Sequence, residues 1–256
     1  HFMESGWNVK QLLKTIVTSA TYRQSSRASD ELMRRDPENR LLARGPRHRL
    51  DAETIRDTAL ATSGLLVEKV GGASVYPYHP KGLWLELNNR PGYSRTYKQD
   101  EGEKLYRRSL YTYWKRTVPP PSMATFDAPE REFCLVRRSR TNTPLQAFVM
   151  LHDPQFVEAS RHLAERMMLA SETPKGRIEH GFRLATSRLP NEKEIAVLHR
   201  VFKERFELYS KDAEATEILL SIGEFKRNET LSKPEHAAWA TVARTLLNLS
   251  ETIMKN

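Results

Sequence analysis

The stretch TPLQAFVMLHDPQFVEASRHLAERMMLA, Thr143 to Ala170, decides the fold. Thr143-Pro144 sets a capping residue ahead of a proline at the first helical position, where an N–H would have no partner anyway. Leu145, Phe148, Val149 and Leu151 follow at helical spacing, and Asp153-Pro154 restarts the helix by the same device. In the second helix Phe156, Ser160, Leu163, Ala164 and Met167 share one face. The pattern predicts that this stripe is buried and that Glu158, Arg161, Glu165 and Arg166 form a solvated face.

The helical pattern continues towards the C-terminus. Helices are expected over Arg177 to Ser187, then from Pro190-Asn191 with Ile195, Leu198, Phe202, Phe206 and Tyr209 inward, then over Asp212 to Ile222 with Gly223 as the stop. A last helix beginning near Ser232 and Pro234 should bury Trp239, Val242, Leu246, Leu247 and Leu249. Towards the N-terminus, Asn8 with Gln11 resembles a capping box for a helix whose Val9, Leu12, Leu13, Ile16, Val17 and Ala20 fall on one face. Asp36-Pro37 and Gly45-Pro46 bracket a short helix expected around Leu41 and Leu42. Asp51 opens a further helix carrying Ile55, Ala59, Leu60, Leu66 and Val70, with Gly71-Gly72 as its end. Asp51, Glu53 and Asp57 complement the backbone dipole at its start.

Between Gly71 and Glu103 the periodicity is lost, and Gly, Pro, Asn and Tyr dominate. Leu83 to Leu87 is the one strand expected there; Tyr76, Tyr78, Trp84, Tyr93 and Tyr97 either line a pocket or anchor the loop. Tyr111 to Trp114 favours a strand by composition, although Tyr106, Leu110, Tyr113 and Trp114 also fit one helical face. Phe133 to Val136 is a second strand candidate, Pro119-Pro120-Pro121 breaks any regular element, and the two strands are expected to pair across a loop holding Phe126, Asp127 and Pro129. The expected fold is mainly α: an irregular helical domain with a long aromatic-rich loop region and a small β hairpin or sheet. It is read as one domain over 1–256, helical over 1–72, loop and small sheet over 73–142, and helical over 143–256.

The composition is that of a globular protein, 39% hydrophobic and 29% charged, and the longest strongly apolar run, Ala147 to Leu151, is far short of the roughly 20 residues of a membrane span. A net charge of +9 favours acidic partners. The cations concentrate with aromatic rings between Leu105 and Arg140. The candidate ligand-binding residues are therefore Arg107, Arg108, Tyr111, Trp114, Lys115, Arg116, Arg131, Arg137, Arg138 and Arg140. Catalytic motifs are missing: there is no G-x-S-x-G, no H-E-x-x-H, no Walker loop or dinucleotide fingerprint, no metal-ligand spacing and no nucleic-acid module. Cys134 alone cannot form an intrachain disulfide or a C-x-x-C-H haem attachment, and between Phe133 and Leu135 it reads as a small buried hydrophobe. Asp127 and Glu130 are the candidate catalytic carboxylates for a carbohydrate-active hydrolase, although the surrounding arginines suit ion pairs. The chain opens on His1 without a leader and reads as an excised segment.

Six phrases occur in order: TSATYRQSS (Thr18 to Ser26), DPENRLLARGPRHRLDAETIRD (Asp36 to Asp57), LYRRSLYTYWKR (Leu105 to Arg116), TFDAPERE (Thr125 to Glu132), RTNTPLQAF (Arg140 to Phe148) and LLNLSETI (Leu246 to Ile253). Together they resemble a planctomycete-specific C-terminal domain of unknown function, found in large exported proteins beside a cytochrome-c-like haem domain. The resemblance covers the chain from Gly6 onward, with His152 where Asn is expected and Ser250 where Asp is expected. It implies a periplasmic or cell-surface location, upstream domains of the parent protein as partners, and haem only in such an upstream domain. The function expected is a non-catalytic accessory or interaction domain that binds an anionic partner, such as an acidic glycan, through the arginine and aromatic surface. The alternatives are the hydrolase and a structural cap without ligand.

Overall fold

A computed structural model describes residues 1–87 and 95–255. The chain divides into two compact units, His1–Arg49 with Met254–Asn256, and Leu50–Ile253.

The smaller unit contains α1 (Val9–Thr18), α2 (Asp30–Arg35) and the strand β1 (His48–Arg49), which pairs antiparallel with β2 (Met254–Lys255). Asn8 caps α1 by accepting from Gln11 N at 3.0 Å. The apolar stripe of α1 is exposed along its length, Val9, Leu12, Leu13, Ile16 and Val17 included. The helix expected around Leu41 and Leu42 does not form, and both side chains are exposed. Asp36 instead ends α2, and its carboxylate accepts from Arg40 N and Leu41 N, each at 2.8 Å. Arg44 donates to Asp36 O and Pro37 O, and Asn39 and Leu42 take positive φ, so a tight loop replaces the helix.

The larger unit is helical, in this order: α3 (Ala52–Ser63), the short α4 (Leu83–Leu87) and α5 (Pro121–Thr125), α6 (Pro144–His152), α7 (Pro154–Ala170), α8 (Pro174–Thr186), α9 (Glu192–Lys211), α10 (Ala213–Ser221), α11 (Lys233–Leu247) and α12 (Ser250–Ile253). The proline-led starts of α6 and α7 stand where the sequence sets them, with Asp153 capping α7 through Gln155 N at 3.0 Å. Among the described residues the two-residue β1–β2 pair is the sole sheet. Tyr111–Trp114 and Phe133–Val136 do not pair. The first lies at a 3-10 turn (Ser109–Tyr111) with a parallel bridge between Thr112 and Val75, and the second forms no strand. Leu83–Leu87, expected as a strand, is α4, a run too short for periodicity to decide. No described helix is long and apolar enough to cross a membrane.

The core lies where α11 packs along α7, with α3 and α8 on α7 and α9 on α11. Ala237, Ala238, Ala240 and Ala243 let α11 come close, while Trp239, Val242, Leu246 and Leu247 fill the interior. Each of these large side chains contributes about 1.5–3 kcal/mol by leaving water. Gly181 of α8 meets α7 so closely that a Cβ there would lie 2.6 Å from Met167 Sδ. α9 is peripheral: Leu198 is its one buried residue, and Phe206 is exposed instead of turned inward. α3 stops at Gly64, in the left-handed region at φ 82°, well before Gly71-Gly72, so Leu66 and Val70 lie outside it.

The face of α7 expected in solvent is inside. Glu158, Arg161 and Glu165 are buried. Glu158 Oε1 accepts from Tyr106 Oη at 2.9 Å and Phe225 N at 2.7 Å. Arg161 donates to Leu220 O at 2.6 Å and Phe225 O at 3.0 Å, and Glu165 accepts from Asn228 N at 2.9 Å. Three polar side chains at helical spacing thus satisfy the loop after α10. Gly223, at φ 92°, lets that loop pass where a Cβ would be 2.4 Å from the Glu158 carboxyl carbon.

Arg56 of α3 is the second buried polar anchor, 2% exposed. Its Nε donates to Gln155 Oε1 at 2.6 Å, its NH1 to Arg107 O at 2.8 Å and Ser109 Oγ at 3.2 Å, and its NH2 to Leu105 O at 2.6 Å. Burial pushes its pKa down to about 10, which leaves it charged at neutral pH. Arg56→Lys keeps the charge but cannot reach acceptors spread around a planar fork; two or more carbonyl groups then lose partners, for an expected loss of about 2–4 kcal/mol in urea denaturation. Asp153 gives a pH test. Burial pushes its carboxyl up to about 6, from 3.8, against the lowering effects of Gln155 N and Arg56. The folded state therefore holds a proton more tightly than the unfolded one, and stability falls as pH rises from about 4 to about 6. Asp153→Asn keeps the cap and removes this loss, so its stability relative to wild type should rise by about 1–3 kcal/mol between pH 4 and 7 in paired denaturation curves.

Candidate functional site

The segment from Leu105 to Arg140 runs from the interior to the surface. Leu105, Tyr106 and Arg107 are buried, as fits residues bonded to Arg56 and Glu158. Arg107 is 6% exposed. Its guanidinium donates to Lys69 O, Gly71 O and Ala73 O at 2.9, 2.6 and 3.3 Å and lies 3.8 Å over the Tyr111 ring. Tyr111 Oη accepts from Gly71 N at 2.8 Å. Arg107 and Tyr111 thus hold the 69–73 segment in place, together with the Val67–Arg107 bridge. Asp57, midway along α3, accepts from Ser109 N at 2.7 Å, and the half-exposed Arg108 stands 3.8 Å from its carboxylate.

Further along, cations meet rings and acids at the surface. Lys115 Nζ lies 4.2 Å over Trp84, and Arg131 lies 4.5 Å over Trp114, whose indole N–H donates to Glu130 O at 3.3 Å. Arg116 is 3.8 Å from Glu132, with both exposed, so that pair contributes little. Arg138 is committed. Its two nitrogens reach the Glu53 carboxylate at 2.7 and 3.2 Å, with Asp51 at 3.9 Å. Burial works to raise the Glu53 carboxyl, but the bonds from Arg138 outweigh it and hold it below the usual carboxylate range. Arg137 and Arg140 are exposed and form no ion pair among the described residues. Beside them Phe133, Leu135 and Val136 are exposed, and so is Cys134, expected to be buried. With no partner strand to cover it, this run presents its apolar side chains outward.

The candidate catalytic carboxylates share a cavity of about 290 Å³ with Arg131, Glu132, Phe133 and Leu135. Within it Asp127, at φ 61°, accepts from Thr141 N at 2.7 Å and from Thr141 Oγ1 at 2.9 and 3.0 Å, which fixes the return of the chain into α6. Glu130 is exposed. His152 is exposed at the end of α6 with its ring 4.2 Å from Phe148, so it extends an aromatic pair. Tyr78 belongs with the buried network, accepting from Glu224 N at 2.8 Å; burial and the adjacent Glu158 raise its phenol and keep it protonated. Tyr76, Trp84 and Tyr97 form an aromatic cluster with Tyr113, and Tyr93 lies outside the described residues. Among the described residues no group of three or more His, Cys, Asp or Glu is arranged to hold a metal ion.

Arg56 and Glu158 were not singled out by motif, although they organise the region. Arg56 stands among the polar residues Glu53, Thr54, Asp57 and Thr58, and Glu158 is one of several charges along α7, and neither pattern reveals burial.

No curated protein and no solved structure matches this chain. A family model described as protein of unknown function (DUF1553) matches residues 1–202. That span includes the segment whose arginines grade from buried to exposed, all of α3 and α7, and most of the phrases that carry the resemblance. On this match, which covers well over half of its length, the chain belongs to the DUF1553 family.

Proposed function

We propose that this chain is a non-catalytic interaction domain that binds an anionic partner, an acidic glycan, through Arg108, Arg116, Arg131, Arg137 and Arg140 with the ring of Trp114. The observation that carries the reading is the exposure of Arg137 and Arg140, free of ion pairs among the described residues, beside exposed Phe133, Leu135 and Val136. Exposed guanidinium groups suit carboxylate or sulfate oxygens, and an adjacent apolar strip suits the faces of sugar rings. Arg107 and Arg138, bound to carbonyls and to Glu53, support the surface instead of contacting the partner. The resemblance adds the setting: an exported planctomycete protein, at the periplasm or cell surface, whose upstream domains are further partners. A single cysteine supplies no thioether pair, so haem c belongs to an upstream domain in this reading.

One observation favours the hydrolase as a second reading: Asp127 and Glu130 line the same cavity. The engagement of Asp127 with Thr141 weighs against it, since that carboxylate already serves the backbone.

Binding to polygalacturonate or heparin should be measurable by biolayer interferometry and should weaken at least tenfold between about 50 and 300 mM salt. The combined Arg131→Ala, Arg137→Ala and Arg140→Ala variant should lose at least tenfold in affinity with an unchanged circular dichroism spectrum. Unchanged affinity would remove the named surface, and no binding by wild type to either polymer would favour the structural cap. Release of reducing ends that disappears in Glu130→Gln would favour the hydrolase.

A further inference from the structure

We infer that the aromatic cluster between Tyr76 and Tyr113 is a second binding site, one that takes a sugar ring, separate from the arginine surface and independent of that reading. Five rings from three segments meet there. Tyr76 stacks on Tyr113 with centroids 4.7 Å apart and His79 on Tyr97 at 4.5 Å, while Trp84 stands edge-on to Tyr97 at 5.1 Å and tilted 6.0 Å from Tyr113. Two cavities of about 280 and 310 Å³ adjoin the cluster and share Trp84, Thr96 and Gln99 as walls. Trp84 is 5% exposed, yet its buried Nε1 has no hydrogen-bond partner among the described residues, and neither has the buried Nε2 of His79. A buried indole N–H normally finds a partner, and Trp84 and His79, whose nitrogens lack one among the described residues, both line the same cavity.

The chemistry of the walls selects the ligand. His79 Nδ1 lies 3.3 Å from Pro80 O, an acceptor, so Nδ1 carries the proton and Nε2 presents a lone pair. Trp84 Nε1 is a donor. One free donor and one free acceptor suit hydroxyl groups, which serve as both. Gln99, Lys98 and Asp100 add further polar groups at the rim. A planar base would need a gap between parallel rings, and both parallel pairs are closed. A quaternary ammonium would need an open aromatic cage, but the Lys115 ammonium already lies over Trp84 and repels a second cation. A pyranose offers apolar C–H faces for the rings and hydroxyls for the rim. Cavities near the lower end of the roughly 300–1,000 Å³ range of ligand sites hold one or two such rings.

The test uses the full chain labelled with 5-fluorotryptophan, with the Trp84 resonance assigned through Trp84→Phe. Methyl glucoside, methyl galactoside, glucuronate, tetramethylammonium and adenosine are titrated separately by fluorine NMR. At least one sugar should shift the Trp84 resonance saturably. Gln99→Ala should weaken that sugar at least tenfold, and Lys98→Ala replaces it should the first variant fail to fold. The paired Arg137→Ala and Arg140→Ala variant should leave the titration unchanged, which separates this site from the arginine surface. No shift with any sugar up to about 100 mM, an effect confined to tetramethylammonium or adenosine, or full affinity in the folded rim variant would overturn the inference.

Discussion

A single guanidinium holds the least regular part of this protein to its most regular part. Arg56 reaches from α3 to Gln155 at the start of α7 and to the backbone of Leu105 and Arg107. Tyr106, between those two residues, gives its hydroxyl to Glu158 one turn further along α7. Three consecutive residues are therefore gripped by two buried charges from two helices. An isolated buried charge is strongly unfavourable, and here each is offset by hydrogen bonds that no apolar side chain could make to the same loop. The place where the chain enters the 105–140 segment is in this way fixed before any of its exposed arginines is reached.

The same device recurs. Arg107 bonds three carbonyls of the 69–73 segment, Arg161 bonds Leu220 and Phe225 after α10, Arg166 bonds Thr62 at the end of α3, and Arg244 bonds Leu151 near the end of α6. Carbonyls at helix ends and in irregular loops have no ladder to join, and a buried one needs a donor. Arginine supplies several donors in one plane, so one side chain can satisfy two or three carbonyls of a loop. Arg56 and Arg107 serve the described part of 64–143 in this way, and little of that part is helix or sheet.

This accounts for what could be read in the sequence. The proline-led starts of α6, α7 and α11 are local chemistry, and Trp239, Val242, Leu246 and Leu247 lie at helical spacing, so these helices and their core face were legible, whereas α8 begins at Pro174, before the expected Arg177. Glu158, Arg161 and Glu165 were not, because helical periodicity separates polar from apolar faces without saying whether a polar face meets water or a loop's backbone. The failure at Phe133 to Val136 has a related cause: strand composition forms a strand only where another strand offers pairing, and among the described residues none does. Leu83 to Leu87 was ambiguous by length alone, and Gly64 rather than Gly71 ended α3 although both were equally available as stops. For the candidate site, the residue types were legible and their exposure was not. Arg107 and Arg140 look alike in sequence, and only the fold makes one a brace and the other a surface group.

The arginines also differ in how their charge is balanced. An arginine paired with a carboxylate, as Arg138 is with Glu53, adds little to the field beyond the pair. One bonded to carbonyls keeps its full formal charge, because the acceptors are neutral. Arg56 and Arg161 carry their charge beneath the surface, where the surrounding protein screens it less than water would, and Glu158 and Glu165 flank Arg161 along α7. Asp57 lies close to Arg56 and offsets part of its charge, whereas Arg107 makes no ion pair among the described residues. Carbonyls that helices and sheets leave unsatisfied thus determine where Arg56 and Arg107 are buried in this chain.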